Sequence, residues 1–199
     1  MERINKKWIA KIIRIITVPP FLVATLIILL AVEGGNVLSG KWDRVVAWIG
    51  LVILPVLAYP VQKIIRSKEM DARTQQRELA FKFSILGYTG SFVYGIISSD
   101  QKNKLFFTTY FLTAMFLLIC NKVLHIRASG HTAASASPCL FSTIWISIRA
   151  GIAYACVFIL SIWASLILKR HEKRDILAGI ICFVAAFSIS YMIFGSIRP

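Results

Sequence analysis

The chain of 199 residues is apolar and strongly basic, with 57% hydrophobic residues, 16% charged residues and a formal net charge of +14. Soluble domains carry about 45–50% apolar and about 25% charged residues, so this composition excludes an ordinary soluble enzyme, a disordered chain and a disulfide-stapled secreted domain. The four cysteines all lie in apolar segments and lack the spacing of a metal site.

Seven windows without a charged residue cover nearly two thirds of the chain. A transmembrane helix needs ~17–25 mostly apolar residues to cross the hydrocarbon core, which is close to the length of each window. In chain order the windows are Ile15–Val32, Val45–Gln62, Phe83–Ser99, Leu105–Cys120, Thr132–Ile148, Gly151–Leu168 and Ile176–Ser196. The sequence therefore predicts an all-α, polytopic membrane protein with about seven transmembrane spans in one helical bundle.

A basic segment that contains Lys6, Lys7, Lys11 and Arg14 leads into the first window. A signal peptide begins in the same way, but no A-x-A cleavage pattern follows here. We expect an uncleaved first span, with residues 4–14 lying along the membrane surface as an amphipathic stretch.

A polar segment of residues 63–82 joins the second and third windows. This segment can continue as helix beyond the bilayer, and its ordinary interpretation is a solvated connector. Pro55 and Pro60 lie inside the second window, where neighbouring helices of a bundle can tolerate a proline kink.

Basic residues are distributed unequally between the two sides that seven spans imply. The N-terminal segment, residues 63–82, loop 121–131 and loop 169–175 fall on one side with seventeen Lys and Arg residues, against six on the other side. Cytoplasmic loops carry the excess of Lys and Arg, which places the N-terminus and these loops in the cytoplasm. The same preference explains the positive charge, so we expect the bilayer and no nucleic acid as a partner.

The three histidines of the chain all lie in two of these loops. His125 and His131 belong to the first loop, and His171 belongs to the second. Polar groups at the edge of an apolar bundle are costly unless they are paired, so they are functional candidates. We find no clear partner for His125 and interpret it as an ordinary loop residue.

His171 and Asp175 are four residues apart, and a helical turn therefore places them on one face. A carboxylate beside an imidazole can hold one ring N–H and leave the other nitrogen free as a nucleophile or base. The structural alternative is that Asp175 caps the helix that follows and His171 is an interfacial residue.

Ser129 and Gly130 stand where the next apolar span begins. Backbone N–H groups and a hydroxyl at a helix start can bind an anion, and Lys122 and Arg127 add positive charge that suits a phosphate. His131, in the first helical turn, could protonate a leaving oxygen. The structural alternative is an ordinary helix start flanked by cytoplasmic basic residues.

At these residues the sequence resembles the type 2 phosphatidic acid phosphatase superfamily, which includes membrane lipid phosphatases. The run Ala128–His131 resembles the family's Pro-Ser-Gly-His motif with Ala in place of Pro, and His171 and Asp175 match the His-x3-Asp of its third motif. Lys122 and Arg127 resemble the first motif, although here they are closer together and merge with the second.

The resemblance covers roughly residues 45–196 and implies a six-helix phosphatase-like core in residues 45–199. Residues 1–44 would form a basic N-terminal segment with the first span. The implied activity is that of a phosphomonoesterase that uses neither a metal nor another cofactor. Its substrate would be a lipid phosphate at the membrane surface, such as phosphatidate, phosphatidylglycerol phosphate or a polyprenyl diphosphate. The oligomeric state stays open.

The resemblance also implies a role for each site residue. His171 would attack phosphorus and form a phosphohistidine, Asp175 would orient His171, and His131 would protonate the leaving alkoxide. The phosphoryl oxygens would be held by Lys122, Arg127, Ser129 and the amide of Gly130.

One position departs from the family's pattern. The third motif carries an Arg six residues before its His, and Ser165 stands there in this chain. A neutral hydroxyl cannot replace a bidentate guanidinium, although Lys169 or Arg170 could substitute for it. If neither does, the loss of one such group would lower the rate by roughly 10²–10³-fold.

Two alternatives to an active phosphatase therefore stand. The first is a weakened or inactive homologue that binds a phospholipid headgroup or a protein partner, which the absent Arg favours. The second is a small transporter with a His/Asp proton relay. A transporter of this kind needs ionisable residues inside its spans, and the seven windows contain none.

Overall fold

The computed structural model describes residues 2–65, 71–97 and 100–195, without the side chains of residues 2–4 and 73. Several sequence-based predictions therefore fall outside the described residues. They concern the loop charges of Arg66, Lys68 and Arg198 and the C-terminal ends of the third and seventh apolar windows.

The described residues form nine α-helices and no strand, which confirms the all-α class. The helices are α1 (Glu2–Ile16), α2 (Pro19–Glu33), α3 (Lys41–Ala47), α4 (Leu54–Ile64), α5 (Ala72–Ile97), α6 (Gln101–Leu118), α7 (Gly130–Trp145), α8 (Ile148–Ile167) and α9 (Lys173–Phe194). Two π-helical segments, Trp48–Ile53 and Ile119–Val123, join α3 to α4 and extend α6.

Five helical segments of the described chain are long and apolar enough to cross a membrane, and α1 with α2 would make a sixth as one bent span. They indicate a multi-pass membrane protein. Fewer segments meet this criterion than the seven windows suggest, because α2 has 15 residues and α7 has 16. At about 1.5 Å per residue such helices are shorter than the ~30 Å hydrocarbon core.

A proline pair separates α1 from α2. Pro19 and Pro20 begin α2, and Val18 before them is extended, with φ −58° and ψ 132°. The residue before a proline is disfavoured in the helical region, so α1 ends here and the two helices meet at 49°. This bend lets α1 pack against α8.

The second apolar window remains one continuous run of helix despite its two prolines. The π-helical segment Trp48–Ile53 ends two residues before Pro55, which has no N–H to donate. A π-helical segment widens the helix locally, so the run can continue past a residue that donates no backbone hydrogen bond.

In the main core, aliphatic side chains of α2 pack with aromatic side chains of α6 and α7. Phe106 on α6 contacts the rings of Tyr110, Phe141 and Trp145, and the last two stack at 4.7 Å. A second, smaller cluster between α6, α7 and α9 contains Phe183 and lies beside the two histidine loops. The helices that carry these loops are therefore fixed by packing.

Candidate functional site

A cavity of about 670 Å³ opens at one end of the bundle. The N-terminal ends of α2, α5 and α7 line it, together with parts of α4 and α6 and the loop between α8 and α9. All four segments that charge counting assigns to one side contribute to its wall. His131 and His171, which are 40 positions apart in the sequence, both line it.

The first histidine loop leaves α6 through its terminal π-helical segment. Asn121, in that segment, donates from Nδ2 to the carbonyls of Leu117 at 2.8 Å and Ala128 at 3.2 Å, which closes the loop on itself. Ser129 is the N-cap of α7, and its hydroxyl accepts the N–H of Thr132 at 3.3 Å. The cap starts α7 at Gly130, so His131 lies in its first turn.

The second loop leaves α8 through a tight turn. The N–H of Arg170 donates to the carbonyl of Ser165 and that of Lys169 to the carbonyl of Leu166, each at 3.0 Å. This is the Schellman pattern, and Lys169 takes the left-handed position usually held by glycine, with φ 50°. The turn brings His171 to the cavity wall.

The carboxylate of Asp175, at the start of α9, contacts both Glu172 and His171. Its Oδ2 accepts the backbone N–H of Glu172 at 3.1 Å, and the same oxygen lies 3.5 Å from Nδ1 of His171. The side chain of Asp175 is 2% exposed, so it lies behind His171 and not on the cavity wall. One carboxylate therefore caps the helix and faces the imidazole, although Nδ1 of His171 makes no hydrogen bond with the described residues.

The two loops are joined by a backbone hydrogen bond. The N–H of Ser129 donates to the carbonyl of Asp175 at 2.9 Å. This bond fixes the start of α7 against the start of α9, which is why the two histidine-bearing segments share one cavity.

Burial and positive charge make both imidazoles weak bases. Burial, with the charges of Arg14 and His171, lowers the pKa of His131 to about 3. Burial and the charge of Arg14 also lower the pKa of His171, while Asp175 opposes this effect and Arg127 adds to it. Both rings are therefore neutral near pH 7 when no anion is bound. Among the described residues, Nε2 of His131 is buried without a hydrogen-bond partner.

The predicted phosphate ligands are placed differently from one another. Lys122 and Gly130 line the cavity. Ser129 is fully buried, and its hydroxyl accepts bonds from both the N–H and the hydroxyl of Thr132 within the helix cap. Arg127 is exposed and lies outside the cavity wall, although its charge reaches His171.

Arg14 and Arg170 also line the cavity, and no sequence motif assigns Arg14 to the site. The half-buried Arg14 reaches it from α1 and donates from a guanidinium nitrogen to the hydroxyl of Ser165 at 2.7 Å. The sequence carried a signal for this contact, because Ser165 stands where the resembled family has an arginine. Which distant residue fills that space depends on the packing of α1 against α8.

Across residues 2–65, 71–97 and 100–195 there is no group of three or more His, Cys, Asp or Glu side chains arranged to hold a metal ion. Comparison with protein-family models finds no matching family, and comparison with curated proteins and with solved structures finds no similar protein.

Proposed function

We propose that this protein is an integral membrane phosphatase that hydrolyses a lipid phosphate through a phosphohistidine intermediate. The observation that carries the proposal is the shared cavity of His131 and His171, with Asp175 behind one imidazole and Lys122 on the wall. The resemblance to type 2 phosphatidic acid phosphatases supports the same chemistry at the same residues.

His171 is the proposed nucleophile. Because its Nδ1 faces Asp175, the proton belongs on Nδ1 and the lone pair of Nε2 is free to attack phosphorus. The depressed pKa of His171 keeps the ring neutral, and therefore nucleophilic, near pH 7. Formation of the N–P bond breaks the P–O bond to the lipid alcohol.

His131 is the proposed proton donor to the leaving alkoxide. Without an anion, the low pKa of His131 leaves its ring neutral and unable to donate this proton. The doubly negative phosphate of the substrate must therefore raise the pKa of His131 first, because a nearby negative charge favours the protonated ring. After the alcohol leaves, neutral His131 takes a proton from the water that attacks the phosphohistidine. Phosphate is released and His171 returns to its neutral form, so the net reaction consumes one water.

We further propose that the chain crosses the bilayer seven times, once through each apolar window, which leaves His131 and His171 outside the crossings. The bilayer would thin locally around the short helices α2 and α7. The presence at one cavity of all four basic segments, which alternate windows separate, supports this arrangement. The excess of basic residues at the same end supports a cytoplasmic cavity and a cytoplasmic N-terminus. The substrate would then enter from the inner leaflet.

The test is phosphate release from short-chain phosphatidate by the purified protein in detergent with EDTA present. We expect turnover by the wild type and its loss in His171→Ala and His131→Ala. His125→Ala is the matched control, because this exposed loop histidine lies outside the cavity wall. No release from phosphatidate, phosphatidylglycerol phosphate or a polyprenyl diphosphate would refute the proposal.

A non-catalytic headgroup-binding protein is the second candidate. Ser165 in place of an arginine favours it, as does the commitment of the Ser129 hydroxyl to the helix cap. In that event the wild type would bind phosphatidate in mixed micelles without turnover, and His171→Ala would bind equally well.

A further inference from the structure

The guanidinium of Arg14 comes to the cavity from a helix that belongs to neither histidine loop. It lies 2.7 Å from the hydroxyl of Ser165, across 151 positions of sequence, and lines the same cavity as His131 and His171. Ser165 is 1% exposed, so this contact is made inside the protein and not on its surface.

Two features of the fold direct Arg14 to this place. The break before Pro19 ends α1 just beyond Arg14, and the packing of α1 on α8 sets its last turn beside Ser165. Ser165 in turn accepts the N–H of Arg170 through its carbonyl, in the turn that positions His171. Arg14 is thus held by the same residue that anchors the histidine turn.

The positive charge of Arg14 repels a proton from both imidazoles and so lowers the pKa of His131 and His171. A half-buried cation beside two histidines does not stabilise their charged forms, but it does favour an anion placed between them. Lys122 and Arg170 line the cavity as well, yet both are exposed, and exposed charges are screened by water.

We infer that Arg14 is a phosphate-binding residue of this site, whose guanidinium holds two oxygens of the phosphoryl group while His171 receives it. The inference rests on the proposed function and supplies the guanidinium that Ser165 lacks. Arg14 transfers no proton, because its side chain stays charged throughout. Its planar donors match two phosphoryl oxygens, and they stabilise the charge that shifts onto those oxygens in the transition state.

The first experiment measures kcat and KM on short-chain phosphatidate for Arg14→Ala, Arg14→Lys and the double variant Arg14→Ala with Ser165→Arg. We expect Arg14→Ala to lower kcat by roughly 10²–10³-fold, as for other groups that stabilise transition-state charge. Arg14→Lys should recover little, because an ammonium lacks the planar pair of donors. The double variant should regain much of the lost kcat, since an arginine at 165 starts beside the vacated space.

Lys11→Ala is the matched control on the same helix. It removes an equal charge one turn earlier, from an exposed side chain outside the cavity wall, and should leave kcat unchanged. Ser165→Ala removes the hydroxyl that Arg14 contacts but keeps Arg14, so it distinguishes phosphate binding by Arg14 from a purely structural contact between α1 and α8. If Arg14 merely ties α1 to α8, then Ser165→Ala and Arg14→Ala will lower kcat and the melting temperature alike, and the inference fails.

A second readout does not require turnover. Calorimetry in detergent measures the binding of inorganic phosphate, and Arg14→Ala should weaken it by about 10- to 100-fold, the range expected for loss of a charge-assisted hydrogen bond. If the wild type hydrolyses no lipid phosphate but shows this difference, the proposed function fails, while the assignment of Arg14 as a phosphate-binding residue stands. If Arg14→Ala matches the wild type in phosphate affinity, or the wild type binds no phosphate, the inference is overturned.

Discussion

Gly179 of α9 lies directly against the backbone of Ser129, the N-cap residue of α7. A Cβ built at position 179 would fall far inside van der Waals distance of the carbonyl oxygen of Ser129. Only a residue without a side chain permits this approach, and with it the hydrogen bond from the N–H of Ser129 to the carbonyl of Asp175. The shared cavity of the two histidines therefore depends on close backbone contact between α7 and α9.

Gly179→Ala should consequently separate the two loops. We expect a destabilisation of about 1–3 kcal/mol, as for other overpacked positions, together with a loss of phosphatase activity. The measurement is thermal unfolding in detergent beside phosphate release. Gly90→Ala on α5 is the control, because a Cβ there has no atom within 4 Å. Equal melting temperatures for the two variants would contradict the close contact.

Asp175 can be dissected by two substitutions, because it caps α9 and faces His171 with the same carboxylate. Asp175→Asn keeps an oxygen for the N–H of Glu172 but removes the charge from beside the imidazole. It should lower kcat strongly with a small change in melting temperature, whereas Asp175→Ala should lower both. If Asp175→Asn retains full activity, Asp175 acts only in the helix cap.

The stability of the fold should decrease in acid because of His131. Its pKa lies near 3 in the folded protein against 6.5 for an unperturbed histidine. Between these values the unfolded chain binds more protons, so the free energy of unfolding falls as the pH drops from about 6.5 toward 3. Thermal unfolding of the wild type and His131→Gln across this range checks the prediction. The variant should show a flatter pH dependence, and identical profiles would exclude His131 as the cause.

Phosphate binding should be coupled to proton uptake. Near pH 7 both imidazoles are neutral without an anion, and a bound phosphate dianion favours the protonated form of His131. Calorimetry of phosphate binding in two buffers of different ionisation enthalpy measures the protons taken up. We expect uptake by the wild type and its loss in His131→Gln. The same apparent enthalpy in both buffers would contradict this coupling.

The register of α6 against α9 can be tested without any activity. The sulfurs of Cys120 and Cys182 lie 3.6 Å apart, and both thiols are free. A small movement would bring them to disulfide distance, so mild oxidation should join these two residues. Peptide mapping by mass spectrometry detects the cross-link, and Cys182→Ser is the control that removes it. If oxidation does not join Cys120 to Cys182, the register of α6 against α9 differs from the one described.

The sequence predicts the helices well because each apolar window is a local pattern. The polar residues before Phe83 can continue as helix, and α5 does begin at Ala72 within them. Span lengths are harder to predict. Helix α7 ends at Trp145, because Ile146 and Ser147 turn the chain toward the Ser147 cap of α8.

Only part of the candidate site can be predicted from the sequence. His171 and Asp175 meet because a four-residue spacing is a local geometry, and His131 follows from the Ser129 cap. The Ser-Gly-His motif does not predict that Ser129 is fully buried with its hydroxyl in the helix cap, because burial depends on how the helices pack. The position of Arg14 depends on a contact across 151 residues, so the sequence identifies it only as one of several basic residues of an interfacial helix.

The most direct test of the central claim is a structure of the protein with bound orthovanadate, which mimics the pentacoordinate phosphoryl group. We predict vanadium bonded to Nε2 of His171, with vanadate oxygens facing His131 and the guanidinium of Arg14. Vanadate bound away from His171, or no vanadate in the cavity at saturating concentration, would contradict a single phosphoryl site built from the two histidine loops.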